Sequence, residues 1–166
     1  MSRPPSPGSG RIAIQRASAA AARAQAAWIA AMEPWRGLGY RAAALGRWLA
    51  RMAGAHDVWI ARARPRGPVQ GIAVAQDGFL LGNFVALLAV APAHAGRGIG
   101  RALMDHVEAR AFATRRWVFV SCDAANQPAR RFYRRRGFAR VGTLPDLIER
   151  GSVELLLRKG RGGSRD

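Results

Sequence analysis

The sequence predicts one α/β domain: a mixed sheet of about six to seven strands with helices on both faces. Three observations carry this. Along the 166 residues, apolar positions switch between strand-like alternation and helical spacing. Trp117 to Cys122 is continuously apolar, as expected of a central strand covered on both faces. An apolar run from Phe79 to Val90 enters a glycine-rich turn, and an amphipathic helix leads out from Ile99 to Ala113.

Residues 1–10 hold a Pro/Gly/Ser tail, expected to be disordered. The domain is expected to span residues 11–159, followed by a polar tail at 160–166. Arg11 to Arg16 alternates, with Ile12 and Ile14 on one face, and reads as the first strand. Ser18 to Met32 is Ala-rich and reads as one helix, N-capped by Ser18 and ended by Pro34. Arg41 to Ala53 reads as a second helix with Leu45, Trp48, Leu49 and Met52 at helical spacing. Asp57 to Arg64 and Val69 to Ala75 read as strands joined by a Pro-Arg-Gly-Pro turn. Gln76-Asp77-Gly78 reads as the next turn, into the strand that ends at Val90. Beyond the helix from Ile99 comes the central strand, then a helix over Gln127 to Arg136. Phe138 to Thr143 and Val153 to Arg158 close the sheet, giving the order β-α-α-β-β-β-α-β-α-β-β.

Composition excludes several classes. Hydrophobic content of 49% with five Trp and six Phe predicts a packed core. The single cysteine, Cys122, forms no intrachain disulfide and is expected to be buried and inert. His56, His94 and His106 do not have zinc spacing, so no metal is expected. There is no apolar segment of the kind a secretory signal or a membrane span needs, which predicts a soluble cytoplasmic protein without membrane contact. Net charge is +17, carried by arginine except for Lys159. Such charge attracts polyanions whatever its origin. Arg115-Arg116, Arg130-Arg131 and Arg134-Arg135-Arg136 read either as phosphate contacts or as a solvated basic face.

The chemistry concentrates in two segments. Val90-Ala-Pro-Ala-His-Ala-Gly-Arg-Gly-Ile-Gly-Arg101 places glycines 96, 98 and 100 between a strand and a helix N-terminus. Backbone can approach a ligand closely there, and the helix's first N–H groups are free for an anion. No Gly-Lys-Ser/Thr follows, so this is no P-loop, and Leu103 breaks a dinucleotide fingerprint. The second segment is Asn126-x-x-Ala129-x-x-Phe132-Tyr133-x-x-x-Gly137-Phe138. Taken singly, its residues read as a helix cap, core aromatics and a C-terminal glycine.

Taken together, the two segments resemble the GCN5-related N-acetyltransferase (GNAT) superfamily, over roughly Arg11 to Lys159 and most strongly over Leu81 to Phe138. The resemblance implies a mostly antiparallel GNAT sheet and acetyl-CoA as cosubstrate. It implies that Leu88, Ala89 and Val90 pair with the pantetheine arm. Gly96, Arg97, Gly98, Ile99, Gly100 and Arg101 would cradle the pyrophosphate through backbone N–H groups, and Asn126 would bond the pantetheine region. Tyr133 would protonate the departing thiolate, a role that suits a phenol neutral at pH 7. Two positions depart from the family pattern. The loop's usual Gln or Arg is Ala95, with Arg97 and Arg101 nearby to supply charge. The Glu that marks the branch acetylating ribosomal protein N-termini is Ser121, so that substrate is not supported.

The base is left open between Glu33 and Glu154. Glu33 follows the first helix, in the region bordering the acceptor cleft of this superfamily; it also reads as a solvated helix-end residue. Glu154 lies on the last strand, which diverges near the active site of this superfamily; it also reads as a surface residue on an edge strand. Trp35 and Tyr40 are candidate walls of an acceptor pocket. The leading function is acetyl transfer to a primary amine of unassigned identity, by direct attack in a ternary complex. The alternatives are a GNAT that acetylates aminoacyl-tRNA, which the charge favours and Asn126 disfavours, and a non-catalytic CoA- or RNA-binding module. Nucleic acid is thus a partner not favoured, and a homodimer is left open.

Overall fold

The computed structural model describes residues 12–162; the tail at 1–10, Arg11 and residues 163–166 lie outside the described residues. Seven strands form one sheet: β1 (Ala13–Arg16), β2 (Asp57–Arg62), β3 (Val69–Phe79), β4 (Gly82–Val90), β5 (Trp117–Asp123), β6 (Ala139–Pro145) and β7 (Val153–Gly160). Their order is β1-β2-β3-β4-β5-β7-β6. Only the β4–β5 pair is parallel. A parallel step needs a crossover, which α4 (Ile99–Thr114) supplies.

The period-2 alternation of the strands divides their side chains between two cores. Val58, Ile60, Ile72, Val74 and Leu87 pack with residues of α1 (Ala19–Arg23), α2 (Ala26–Ala30) and α3 (Ala42–Ala55) on one face. Val85, Val118, Val120, Leu155 and Leu157 pack with α4 and with Tyr133 of α5 (Gln127–Arg135) on the other. Helices therefore cover both faces, and β5 is apolar from Trp117 to Val120, where it is interior to the sheet and paired on both sides. No described helix is long and apolar enough to cross a membrane.

Four local expectations are corrected. The Ala-rich helix is broken into α1 and α2, which adds one helix to the expected order. Ser18 caps it as expected, its hydroxyl accepting from the Ala21 N–H at 3.2 Å. At Gln25 the backbone N–H tightens to the Ala22 carbonyl, while the side-chain amide donates to the Ala21 carbonyl at 2.8 Å. The Gln25 side chain thus replaces a backbone donor and uncouples the two turns.

The turn expected at Gln76-Asp77-Gly78 lies instead at Leu80-Leu81. Gly78 is a left-handed bulge inside β3 (φ 86°), where the register shifts between Asp77 and Phe79. Leu80 and Leu81 then make a two-residue hairpin, both at positive φ (42° and 62°) and both exposed. The last strand is not an edge: β7 inserts between β5 and β6. It also runs through Gly160, so the polar tail begins one residue later than expected.

Candidate active site

β4 and β5 are paired only from Gly82–Val85 against Trp117–Val120. Beyond that point β4 remains bonded to β3, through Leu88, Ala89 and Val90, and β5 to β7, through Ser121, Cys122 and Asp123. The two strands part, and the facing edge of β4 carries no partner strand. A bulge at the same place, where Val74 pairs with Leu87 and Ala75 with Val85, leaves Ala86 as an extra residue. Bulges of this kind re-aim backbone beside active sites. The resulting cleft holds about 340 Å³ and is bordered by Val85–Val90, Ser121–Asp123, Asn126, Tyr133 and Glu154.

The glycine-rich loop stands beyond the end of β4. Gly96 and Gly98 adopt left-handed φ of 74° and 78°, and Gly98 is the N-cap of α4. Among the described residues the first backbone N–H of this segment with a backbone acceptor is that of Ala102, which bonds Gly98 O at 2.9 Å. The N–H groups of Gly96 through Arg101 therefore remain available, a nest at a helix N-terminus suited to a phosphate. Ile99 sends its side chain into the core, so only its backbone serves the loop. Arg97 and Arg101 are exposed beside it. Arg101, Arg135, Arg136 and Lys159 line an adjoining groove. Arg130, Arg131 and Arg134 face a separate groove against β6 and β7.

Asn126 caps α5, its Oδ1 accepting from the Ala129 N–H at 3.1 Å, and also borders the cleft. Tyr133 is buried among Phe132 and Phe138, with ring centroids 5.2 and 5.6 Å away, and lines the cleft. Burial pushes its phenol above the ordinary range, so it stays protonated at neutral pH. Burial also pushes the Cys122 thiol up, to about 11, which leaves it protonated and a poor nucleophile.

Glu154 is only 8% exposed, yet it borders the cleft. Burial raises its carboxyl above the usual range, an effect opposed by a hydrogen bond from Ser121 and reinforced by the nearby charge of Asp123. Glu33 also borders the cleft, but its side chain is 56% exposed and ion-paired with Arg36 at 2.8 Å. Its bonds to Arg36 and to the Gly37 N–H hold its pKa down. The two carboxyls named from the sequence thus differ in the structure: Glu154 is buried with a raised pKa, and Glu33 is exposed, ion-paired and held down.

The model of the acetyltransferase (GNAT) domain matches residues 54–140, more than half of the chain. The chain belongs to the GNAT family. No curated protein matches it in sequence. Among solved structures, it is similar to a GNAT-family acetyltransferase of Bacillus cereus (17% identity, 94% of this chain and 100% of that one, TM-score 0.71). It is also similar to NAA60 of Arabidopsis thaliana in complex with a bisubstrate analogue (21% identity, 92% and 99%, TM-score 0.70). A third is yncA of Salmonella typhimurium with its cofactor acetyl-CoA (20% identity, 94% and 98%, TM-score 0.68).

In this GNAT domain, every candidate named from the sequence falls on the cleft or on the adjoining loop except the arginine clusters: Arg130, Arg131 and Arg134 face a separate groove, and Arg115 pairs with Asp77. Trp35 and Tyr40 also border the cleft. Sequence reasoning missed Asp123, Met32, Leu38 and Ile148, which border the same space. Asp123 gave a signal that went unused: it is a charge ending an otherwise apolar strand, three residues before Asn126. The parted strands with an open backbone edge, and the donor-rich loop beyond them, fit an extended pantetheine arm ending in a pyrophosphate.

Proposed function

We propose that this GNAT domain transfers the acetyl group of acetyl-CoA directly to a primary amine, with Glu154 as the proton acceptor and Tyr133 as the proton donor. One observation carries the reading: the two groups reach a single cleft from opposite faces of the sheet. Cys122 and Leu155 belong to the core under α4 and α5, as does Tyr133. By alternation, Ser121, Asp123 and Glu154 point to the other face, where Glu33, Trp35 and Tyr40 complete the lining. An amine entering from the α1–α3 side meets Glu154. A sulfur leaving toward α5 meets Tyr133.

The open edge of β4 and the loop N–H groups would hold acetyl-CoA, which supplies the acetyl group as an activated thioester. Glu154 takes one proton from the bound ammonium, freeing its lone pair for attack. Tyr133 gives its proton to the departing sulfur as the C–S bond breaks, and the second proton that the nitrogen loses on becoming an amide restores the phenol by way of solvent, so the nitrogen gains the acetyl group and CoA leaves as a neutral thiol. Positioning both reactants in one slot provides much of the rate. The bisubstrate complex of the NAA60 relative supports simultaneous occupation by both substrates. The protonated, buried Cys122 supports direct attack over an acyl-cysteine route.

The test is transfer of radiolabelled acetyl from acetyl-CoA into a cell lysate, with the products divided by protease, nuclease and size. Label is expected in a protein or small-molecule fraction. Tyr133→Phe is expected to lower it by roughly 10² -fold, with acetyl-CoA affinity near wild type. Equal label in the variant would remove Tyr133 from its role. Label confined to nuclease-sensitive material would favour aminoacyl-tRNA. Acetyl-CoA binding without any transfer would favour a binding module.

A further inference from the structure

The charge of the cleft is the reverse of the charge of the chain. The sequence holds 27 Lys and Arg against ten Asp and Glu. The lining of the cleft includes three carboxylates (Glu33, Asp123 and Glu154) and no lysine or arginine. Two other grooves are instead rich in arginine.

Two of these carboxylates form a pair that the fold does not neutralise. Asp123 and Glu154 are direct cross-strand partners at the end of the antiparallel β5–β7 ladder, so their side chains share a face. Like charges directly opposite each other in a sheet are destabilising. Glu154 is more than nine-tenths buried, borders the cleft and has no ion pair among the described residues; neither does Asp123. Glu33, by contrast, already has Arg36. The repulsion is felt at Glu154, whose carboxyl Asp123 helps to raise. Only one of the two carboxylates is needed to accept the proton of the reacting amine. The other is left over for a second charged group on the acceptor.

We propose that the acceptor is an amine carrying a second positive charge, which Asp123 binds while Glu154 receives the proton of the reacting ammonium. This rests on the acetyl-transfer reading above. A dication would neutralise the opposed pair, and Trp35 and Tyr40 would flank its apolar spacer. An acceptor with a negative charge beside its amine would meet the same pair and be repelled. Asp123 is then a specificity-determining residue.

The test is steady-state release of CoA thiol with three probes of similar length: 1,4-diaminobutane, n-butylamine and 4-aminobutanoate. The diamine is expected to exceed n-butylamine in kcat/KM by about tenfold or more, as for a hydrogen bond to a charged group, with 4-aminobutanoate poorest. Asp123→Asn keeps the oxygen that accepts from the Ala125 N–H at 2.6 Å, so the turn into α5 is retained. It is expected to raise KM for the diamine about tenfold and to erase the diamine preference. Added salt should erode the preference in wild type as well, a readout that does not need the variant. Comparable kcat/KM for diamine and monoamine, or an Asp123→Asn loss equal for both, would overturn the proposal while leaving acetyl transfer intact. Thiol release with none of the amines, despite measured acetyl-CoA binding, would overturn the acetyl-transfer reading itself.

Discussion

Replacing Glu108 by alanine is expected to cost about 3 kcal/mol of stability. Glu108 of α4 accepts from Arg136 Nε at 3.1 Å and Nη2 at 2.8 Å, and from Lys159 Nζ at 2.5 Å. It thereby ties α4 to the end of α5 and to β7. The three side chains are 9%, 10% and 19% exposed. Removing one partner of such a buried pair typically costs about 3–5 kcal/mol, because the remaining charge is stranded. The low end applies here, since Asp105, 61% exposed, still holds Arg136 at 2.7 Å. At about 2–4 °C per kcal/mol for a chain of this size, Tm should fall by roughly 6–12 °C. Thermal and urea unfolding followed by circular dichroism measure this, with Glu108→Gln expected to lie between wild type and Glu108→Ala. A Tm shift under about 2 °C for Glu108→Ala would refute the reasoning, and would mean that Phe132, Tyr133 and Phe138 hold the corner by packing alone.

Glu154→Gln should lower kcat by roughly 10²-fold or more, and the low-pH loss of wild-type activity, which lies above the ordinary carboxylate range, should disappear in the variant. The same raised pKa means that the folded state binds the proton more tightly than the unfolded chain. Stability therefore declines as pH rises from 4.5 through the raised value, and ionised Glu154 is a net cost at neutral pH. Glu154→Gln should accordingly melt higher than wild type at pH 7, and a lower Tm would contradict this account. At the β3–β4 hairpin, Leu80→Asn with Leu81→Gly should stabilise by about 1 kcal/mol, because an L residue at positive φ costs about 1–2 kcal/mol. Urea unfolding checks it, and an unchanged midpoint would mean that the leucines relieve their backbone cost through contacts.

Local chemistry was legible in the sequence, and pairing between distant segments was not. The glycine loop announces itself because backbone N–H groups need residues with no Cβ at left-handed φ, and Gly96 and Gly98 are such residues. Asn126 and Tyr133 read singly as a helix cap and a core aromatic, and only the resemblance of the two segments to the GNAT superfamily singles them out. The Leu80-Leu81 turn escaped because the usual turn signal, Asp77-Gly78, sits two residues upstream and makes a bulge instead. The break at Gln25 depends on a side chain taking a backbone acceptor, which propensity does not record. The burial of Glu154 depends on β7 crossing to the inner side of β6. Its pairing with Asp123 spans 31 positions, a register that no local pattern encodes.

Parting β4 from β5 makes the sheet two leaves on a short spine. One leaf is β1 to β4, the other β5, β7 and β6, and four rungs at Gly82–Val85 join them. α4 packs across the spine, against β2, β3 and β4 on one leaf and β5 on the other, so this helix and the four rungs together hold the angle between the leaves. Splaying the leaves by a small angle there opens the far end most, at Val90 and Asp123, by simple leverage. The width of the slot at its mouth is thus set by residues remote from any chemistry. Phe84 and Phe119, opposed within the spine, bear on the width of the slot as fully as the residues that line it bear on its chemistry.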